Sequence, residues 1–435
     1  MSTRWRCHVL FGWLNFALAV PSIYLLLGLP LAMREQGWSG TEIGLFQLAG
    51  LPAVGKFLLA LPVERFRFAG SHYKPWAVLL CTLLAVLLVL IGRQDMLASR
   101  VPLFLLALLA SVLATWADIP LNALAIKLLP EDERIRAGSI RSAALFIGAI
   151  VGAGVMLLIH GRWGWQAPFL LMAAFLLLGV LPLARLGESP VARGSAQAPA
   201  PGLWRGYFAQ PGAWAWTCLL LCCFPFIGAS WLYLKPLLLD QGLPAQQVAW
   251  LAGVGGGVLG ALSSVAVARL IPRLGVSRAI ALFSGFAVFA QAGLTVAVWT
   301  AAGPLGLLLG AALLACAMGA ISALLFGLMM FFTRELRQAT DYGLQASLFV
   351  LSRLLVPVAA GMLLDRFGYA GMLLGLTLAM LGVLALAMSN RRTIAEVAES
   401  SAERVPQVAA RGVGRVQAEQ GMPEAISAGK GVWPV

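Results

Sequence analysis

The sequence has 435 residues, of which 60% are hydrophobic and only 11% are charged. A soluble domain is about 45–50% apolar and about 25% charged, and one soluble core cannot bury this much apolar surface. The composition therefore excludes a soluble enzyme, a disordered protein and a disulfide scaffold, and it indicates an integral membrane protein. The net charge of +13 does not point to nucleic acid, because Lys and Arg lie in short loops between apolar runs.

Twelve apolar runs are long enough to span a bilayer, which takes about 20 residues. We therefore predict an all-α membrane protein with twelve transmembrane helices, at 8–30, 41–62, 76–92, 101–127, 139–159, 166–186, 213–239, 246–268, 279–300, 304–332, 343–364 and 370–388. The first run lacks a small-residue cleavage site, so we expect an uncleaved helix.

Polar segments separate and follow these runs. Residues 187–212 are rich in Pro, Ala, Gly and Ser, which predicts a flexible cytoplasmic linker. The tail 389–435 is polar and of mixed charge, which predicts disorder. With twelve helices, both chain termini lie on the same side of the membrane, and the loops on that side hold most of the Lys and Arg residues. The positive-inside rule therefore predicts that both termini are cytoplasmic.

Two short motifs occur twice in the chain, in the same register to within one residue. Glu35-Gln36-Gly37-Trp38-Ser39 recurs as Asp240-Gln241-Gly242-Leu243-Pro244, and Arg162-Trp163-Gly164-Trp165 recurs as Arg366-Phe367-Gly368-Tyr369. The repeat predicts two parallel six-helix halves, 1–186 and 213–388, which is the architecture of major facilitator transporters.

Charged residues inside membrane helices are costly, so they are candidates for function. Asp118 is the strongest candidate, either as a proton-coupling site or as a structural ion pair with Arg141 or Lys56. Asn122 lies four residues later on the same helical face and is a candidate for substrate binding. Lys56 could attract an anionic substrate, and Arg353, near the middle of the eleventh run, could grip one.

Weaker candidates are aromatic residues and residues near the helix ends. Tyr24 and Trp231 are candidates for binding a substrate ring, with ordinary packing as the alternative. Gating of the cytoplasmic face is expected of Glu64, Arg65, Arg141, Asp341 and Gln345. The sequence has six Cys and three His residues, and their spacing matches no metal motif. We find no cofactor motif and no nucleophile–base pair, so we expect no resident metal or cofactor and no enzyme activity.

Several of these motifs resemble the AmpG-type permeases and their siderophore-transporting relatives, the rhizobactin/pyochelin-type permeases. The resemblance rests on Ile43-Gly44-Leu45-Phe46, Gly50-Leu51-Pro52, Lys56-Phe57-Leu58, Glu64-Arg65, Asp118-Ile119, Leu129-Pro130-Glu131-Asp132-Glu133-Arg134 and Gly164-Trp165. The family often has a second acid where this chain has Asn122, and an Asp where it has Glu64.

The resemblance implies a bacterial inner-membrane importer driven by protons. The stretch 340–347, Thr-Asp-Tyr-Gly-Leu-Gln-Ala-Ser, looks more like the siderophore branch. We therefore expect a monomeric siderophore importer whose partners are a small-molecule substrate, protons and the lipid bilayer. Muropeptide import by an AmpG-like permease is the alternative, and drug or metabolite efflux is a further one.

Overall fold

The computed structural model describes residues 3–66, 68, 71–93, 95, 97, 99–188, 203–335 and 337–420. These residues are almost entirely helical, and eleven helical stretches are long and apolar enough to cross a membrane. In lipid the backbone must satisfy its own hydrogen bonds, which a helix does within one segment.

The membrane helices take the labels α1 to α12 in chain order. The first ten are α1 Arg4–Glu35, α2 Glu42–Arg65, α3 Tyr73–Gly92, α4 Arg100–Leu128, α5 Glu131–Trp163, α6 Gln166–Arg185, α7 Ala213–Asp240, α8 Ala249–Leu274, α9 Val276–Trp299 and α10 Gly303–Met329. The eleventh stretch, Gln338–Ala398, is broken at Gly368, where φ is +65° and ψ is −175°. It therefore supplies both α11 (338–367) and α12 (369–398).

The repeated sequence motifs form the same turns in both halves. Gly164 before α6 and Gly368 before α12 have φ values of +77° and +65°, and their ψ values are −176° and −175°. Gly37 after α1 and Gly242 after α7 have φ values of +81° and +85°. Glycine adopts this conformation without a steric penalty, so the repeat places equivalent helix ends in equivalent positions.

The two ends of the bundle are named here by their loops. The linker face carries the described loop residues 66, 68, 71–72, 129–130, 186–188, 209–212, 330–335 and 337, and the opposite face carries the described loop residues 36–39, 93, 95, 97, 99, 241–244 and 300–302. The halves contact each other through α2 with α11, α4 with α11, α5 with α8 and α5 with α10. Gly138 of α5 is so close to Gly327 of α10 that a Cβ on Gly138 would overlap the Gly327 backbone nitrogen.

The contacts of α11 with α2 and α4, and that of Gly138 with Gly327, lie in the linker-face halves of the helices, whereas Ile150 of α5 packs against Gly257 of α8 just beyond the middle. Among the described residues, the π-helical turns near the opposite face, Tyr24–Gly28, Val151–Val155 and Ala249–Gly255, pack mainly within their own half. The structure is therefore closed at the linker face and parts toward the opposite face.

Two expectations about the polar segments need correction. The predicted linker includes a short helix, Leu203–Phe208, the linker helix, whose Trp204 ring lies edge-on to Phe57 of α2 at 5.7 Å. The tail prediction also fails after residue 388, because α12 continues as helix and buries Ile394 and Ala398. Both segments alternate apolar with polar residues and find an apolar surface to cover. Residues 189–202 and 421–435 of these predicted segments lie outside the described part of the chain.

Candidate functional site

Asp118 stands at the centre of a polar cluster that joins the two halves. Its Oδ2 atom accepts hydrogen bonds from Lys56 Nζ at 2.6 Å and from the Tyr342 hydroxyl at 2.8 Å. Its Oδ1 atom accepts from Asn122 Nδ2 at 2.9 Å and from Arg141 Nη2 at 3.3 Å. Lys56, Asn122 and Arg141 belong to the first half and Tyr342 to the second, so one carboxylate connects four helices.

Local sequence explains how these side chains reach Asp118. Asn122 follows Asp118 by one helical turn, and its side chain also donates to the Asp118 carbonyl at 2.7 Å. In α2 the backbone tightens to a 3₁₀ turn at Gln47–Ala53, around Pro52, before regular helix resumes at Lys56. Lys56 therefore lies in the first turn of the resumed helix, deep within the membrane segment.

The cluster carries more positive than negative charge. Lys56 and Arg141 face a single carboxylate, and both side chains are largely buried, 12% and 8% exposed. The Arg141 guanidinium also lies 4.7 Å from the centre of the Phe326 ring and 5.1 Å from that of Tyr342, where a cation is attracted by the ring electrons. Loss of the Asp118 charge would leave two buried cations and strengthen the attraction for an anion.

Arg353 lies on the same face of α11 as Tyr342, three turns nearer the opposite face, because eleven residues make almost three full turns. Its guanidinium lies 5.4 Å from the Phe224 ring centre and 5.6 Å from that of Phe349. Both rings are buried, whereas the Arg353 side chain is exposed. Since Tyr342 points to the first half, Arg353 faces the space between the halves.

The contact between α2 and α11 closes the linker face. Glu64 accepts hydrogen bonds from the Tyr73 hydroxyl at 2.8 Å and from the Thr340 backbone nitrogen at 3.0 Å. About two turns deeper, the Phe57 backbone nitrogen donates to Ser347 Oγ at 2.9 Å. Gly343 lets the helices touch, since a Cβ there would lie 2.8 Å from the Ala60 Cβ. Glu64 thus bridges the two halves at the linker face, and its role in gating stays a prediction.

Three other expected gating residues do not bridge the halves. Arg65 is exposed and lies over the ring of its neighbour Phe66, because it points away from α11. Asp341 accepts from Arg334 Nη2 at 2.6 Å, and Gln345 accepts from Trp216 Nε1 at 2.7 Å. Both bonds lie within the second half: the first holds the corner between α10 and α11, and the second joins α11 to α7. Arg141 is an ion-pair partner of Asp118, as one of the two sequence alternatives had it.

The two aromatic candidates differ. Tyr24 is fully buried, donates to or accepts from His160 Nδ1 at 2.8 Å and packs edge-on to Phe169. It belongs to the packed interior of the first half, which favours the packing alternative over contact with substrate. Trp231 is half-buried against Gly256 of α8, and its role in substrate binding stays a prediction.

Sequence reasoning missed Tyr342, Thr340, Gly343 and Ser347 as functional residues, because each is uncharged or small. Two signals could have found them: a Tyr and a Thr beside Asp341 at the start of a membrane helix, and a small residue every four positions at 343 and 347.

Comparison with known proteins now identifies the family. The sequence profile described as Major Facilitator Superfamily matches residues 9–344. The chain belongs to the major facilitator superfamily. It is therefore a membrane transporter rather than an enzyme.

One relative and two solved structures extend this result. The anhydromuropeptide permease of Escherichia coli (strain K12) is 30% identical over 279 residues, which are 59% of this chain and 55% of the relative. The match thus spans about half the length of that protein. The transporter FucP, in the outward conformation, superposes with a TM-score of 0.68 at 17% identity, covering 87% of this chain and 97% of FucP. The proton:xylose symporter XylE superposes with a TM-score of 0.71 at 13% identity, covering 88% and 95%. The two structures support the fold alone.

Proposed function

We propose that this transporter imports muropeptides or closely similar anionic sugar–peptides, in symport with protons. The observation that carries the proposal is the bond from Tyr342 in the second half to Asp118 in the first. It makes closure of the linker face depend on the charge state of one carboxylate.

The cluster suggests how a proton and an anion are coupled. With Asp118 ionised, Lys56, Arg141 and Tyr342 are held and the linker face is closed. A proton arriving from the opposite face neutralises Asp118, so the two cations lose their partner and attract a substrate carboxylate. The anion then compensates the cations while the bond between halves weakens, and the halves rock to open the linker face. A proton alone would leave the two cations without a partner, and an anion alone would leave the bond between the halves intact, so both are needed to open the linker face.

The chemistry around Arg353 fits a sugar–peptide. Its guanidinium can grip a carboxylate with two parallel hydrogen bonds, and the neighbouring rings of Phe224 and Phe349 suit the apolar face of a sugar. The permease relative transports anhydromuropeptide according to its name, which favours muropeptides over other anions. The positive charge of the linker-face loops supports a cytoplasmic position for that face, and a bacterial inner membrane is part of the proposal.

Siderophore import, which the sequence favoured, has weaker support. The segment 340–347 suggested it, yet Thr340, Gly343 and Ser347 contact α2 at the closed linker face. The resemblance of this segment to siderophore permeases is therefore evidence about how the linker face closes and not about which substrate is bound.

The test is uptake into proteoliposomes of a labelled disaccharide-peptide and, in parallel, of iron–siderophore complexes. We expect accumulation of the disaccharide-peptide that a protonophore abolishes. In Asp118→Asn, accumulation should be lost while counterflow exchange persists. If only a siderophore complex accumulates, the substrate is a siderophore and not a muropeptide. Full accumulation by Asp118→Asn would refute the coupling role of Asp118.

A further inference from the structure

A small polar cavity lies beside the Asp118 cluster, on its linker-face side. It is about the size of one water molecule and is bounded by α1, α4 and α5, with a wall from Met330. Its polar lining consists of His8, Asn15, Asn122 and Arg141, and the remaining lining is apolar. Nothing in the proposed coupling mechanism accounts for a polar cavity at this place.

Three buried polar atoms of the lining have no hydrogen-bond partner within the described chain. They are His8 Nδ1, Asn122 Oδ1 and Arg141 Nε. Their residues are only 2%, 1% and 7% exposed, so bulk water does not satisfy these atoms. An unsatisfied buried polar atom costs about 1–3 kcal/mol. One water could accept from Arg141 Nε and donate to the other two atoms, which is the usual coordination of a buried water.

His8 connects this cavity to the linker face. Its Nε2 atom lies 2.8 Å from Glu133 Oε2, and a carboxylate accepts a hydrogen bond, so Nε2 carries the hydrogen and Nδ1 is a free base in the neutral ring. Glu133 in turn binds Arg136 Nη1 at 2.8 Å, and the Arg136 side chain is half exposed. The polar groups thus run from Asp118 and Asn122, past the cavity, to solvent.

We propose that a water bound in this cavity, with His8 and Glu133, carries the proton of Asp118 to the linker face. This rests on the proposed proton symport. Asn122 and Arg141, which both bond to Asp118, separate its carboxyl from the cavity. Once the protonated carboxyl releases Arg141 and turns to the water, its O–H bond breaks as the proton passes to the water, and the water gives a proton to His8 Nδ1. The imidazolium then releases its Nε2 proton to Glu133, which loses it to solvent, and a turn of the imidazole ring restores an N–H toward Glu133 and a basic nitrogen toward the water. Each step is a proton transfer between an acid and a base, and no electrons change hands.

The charges around His8 are compatible with proton transfer from Asp118 toward the linker face. Glu133 faces its Nε2 from the start of α5, and Arg141 faces the cavity from the same helix. The Trp5 ring lies 6.4 Å away within α1. At the rim, Arg4 and Asp132 pair with each other at 3.4 Å. The carboxylate of Glu133 stabilises a transient imidazolium, and Arg141 discourages the proton from returning.

Two substitutions test the route, assayed with the labelled disaccharide-peptide in proteoliposomes. His8→Gln keeps an amide N–H for Glu133 but has no basic nitrogen for the water. Ala137→Val adds bulk to the wall of the cavity without touching a polar group. We expect gradient-driven accumulation to slow tenfold or more in both variants, with counterflow exchange within twofold of wild type. Asp132→Asn, beside the same rim, is the matched control and should match wild type.

The outcomes separate this inference from the proposed function. If wild type accumulates substrate with protons and both test variants accumulate it equally fast, the route is overturned and the symport stands. If His8→Gln slows exchange and accumulation together while Ala137→Val is unaffected, His8 is only structural and the route is also overturned. If wild-type accumulation does not depend on protons, the symport itself fails.

Discussion

Tyr342 of α11 donates its hydroxyl hydrogen to Asp118 of α4 across 2.8 Å, and so joins the second half of the transporter to the first. A hydrogen bond to a charged group is worth about 1.5–3 kcal/mol. A bond of that size, made only when the linker face is closed, biases the two conformations strongly.

Tyr342→Phe is therefore expected to open the linker face. The ratio of closed to open molecules should fall roughly 10- to 150-fold, which is what about 1.5–3 kcal/mol corresponds to. Pulsed electron resonance between labels at Asp132 and Arg273, in a cysteine-free background, would measure the separation of the halves. Tyr369→Phe is the control, because its hydroxyl binds Asp240 at 2.7 Å within the second half. An unchanged distance distribution in Tyr342→Phe would contradict the role of this bond.

Gly343→Val should prevent the linker face from closing. A Cβ at this position would lie 2.8 Å from the Ala60 Cβ and 3.1 Å from the Lys56 carbonyl oxygen, so α2 and α11 must move apart. Such overpacking costs about 1–3 kcal/mol. The same pair of labels should report a longer distance, and uptake should be lost. Gly382→Ala is the control, since a Cβ there meets no atom within 4 Å in the described structure. If the label distance in Gly343→Val equals that of wild type, the close approach of α2 and α11 at Gly343 is refuted.

How far the sequence predicts this site depends on the type of residue. Asp118, Lys56, Arg141 and Arg353 were predictable because a charge within an apolar run is costly and conspicuous. Tyr342, Thr340 and Gly343 were not, because their roles arise only when α11 packs on α2 and α4. The sequence could not choose between substrate contact and packing for Tyr24, because an aromatic residue has the same pattern whether it faces a cavity or a neighbouring helix.

The fold was more predictable than the site. Twelve apolar runs and the repeated turns at Gly37, Gly164, Gly242 and Gly368 determine the number of helices and the two halves. The linker helix and the continuation of α12 past residue 388 were not predictable from composition, because short segments gain helical order from the surface on which they pack.

Glu188 anchors the start of the linker to the first half, and its contribution should depend on pH. Its side chain accepts hydrogen bonds from Lys127 Nζ at 2.7 Å and from the backbone nitrogens of His72, Tyr73 and Lys74 at the start of α3. Burial by itself raises the pKa of Glu188, but the hydrogen bonds from Lys127, Lys74 and Tyr73 outweigh it, so the pKa is lowered. The stabilisation is therefore present above the ordinary Glu pKa of about 4.3, and it is lost as the pH falls through the lowered value.

Glu188→Gln should accordingly lower the Tm at pH 7, for a loss of about 1.5–3 kcal/mol. The difference from wild type should shrink as the pH falls below about 4.3. Differential scanning fluorimetry in detergent across this pH range measures both effects. Asp132→Asn removes an exposed carboxylate that pairs with Arg4 at 3.4 Å and should change the Tm little. A pH-independent difference between wild type and Glu188→Gln would show that charge is not the cause.

Arg353 should determine affinity for the anionic substrate. Loss of a charged hydrogen-bonding partner costs about 1.5–3 kcal/mol, so Arg353→Ala should raise the KM for a disaccharide-peptide roughly tenfold or more. The KM of Arg353→Lys should lie between the values of wild type and Arg353→Ala, because Lys keeps the charge but lacks the planar guanidinium group. Arg366→Ala, an exposed residue at the opposite end of α11, is the control for net charge and should leave the KM near that of wild type. Uptake kinetics with kcat and KM resolved decide the matter. A lowered kcat at an unchanged KM in Arg353→Ala would mean that this arginine acts in the conformational change and not in binding.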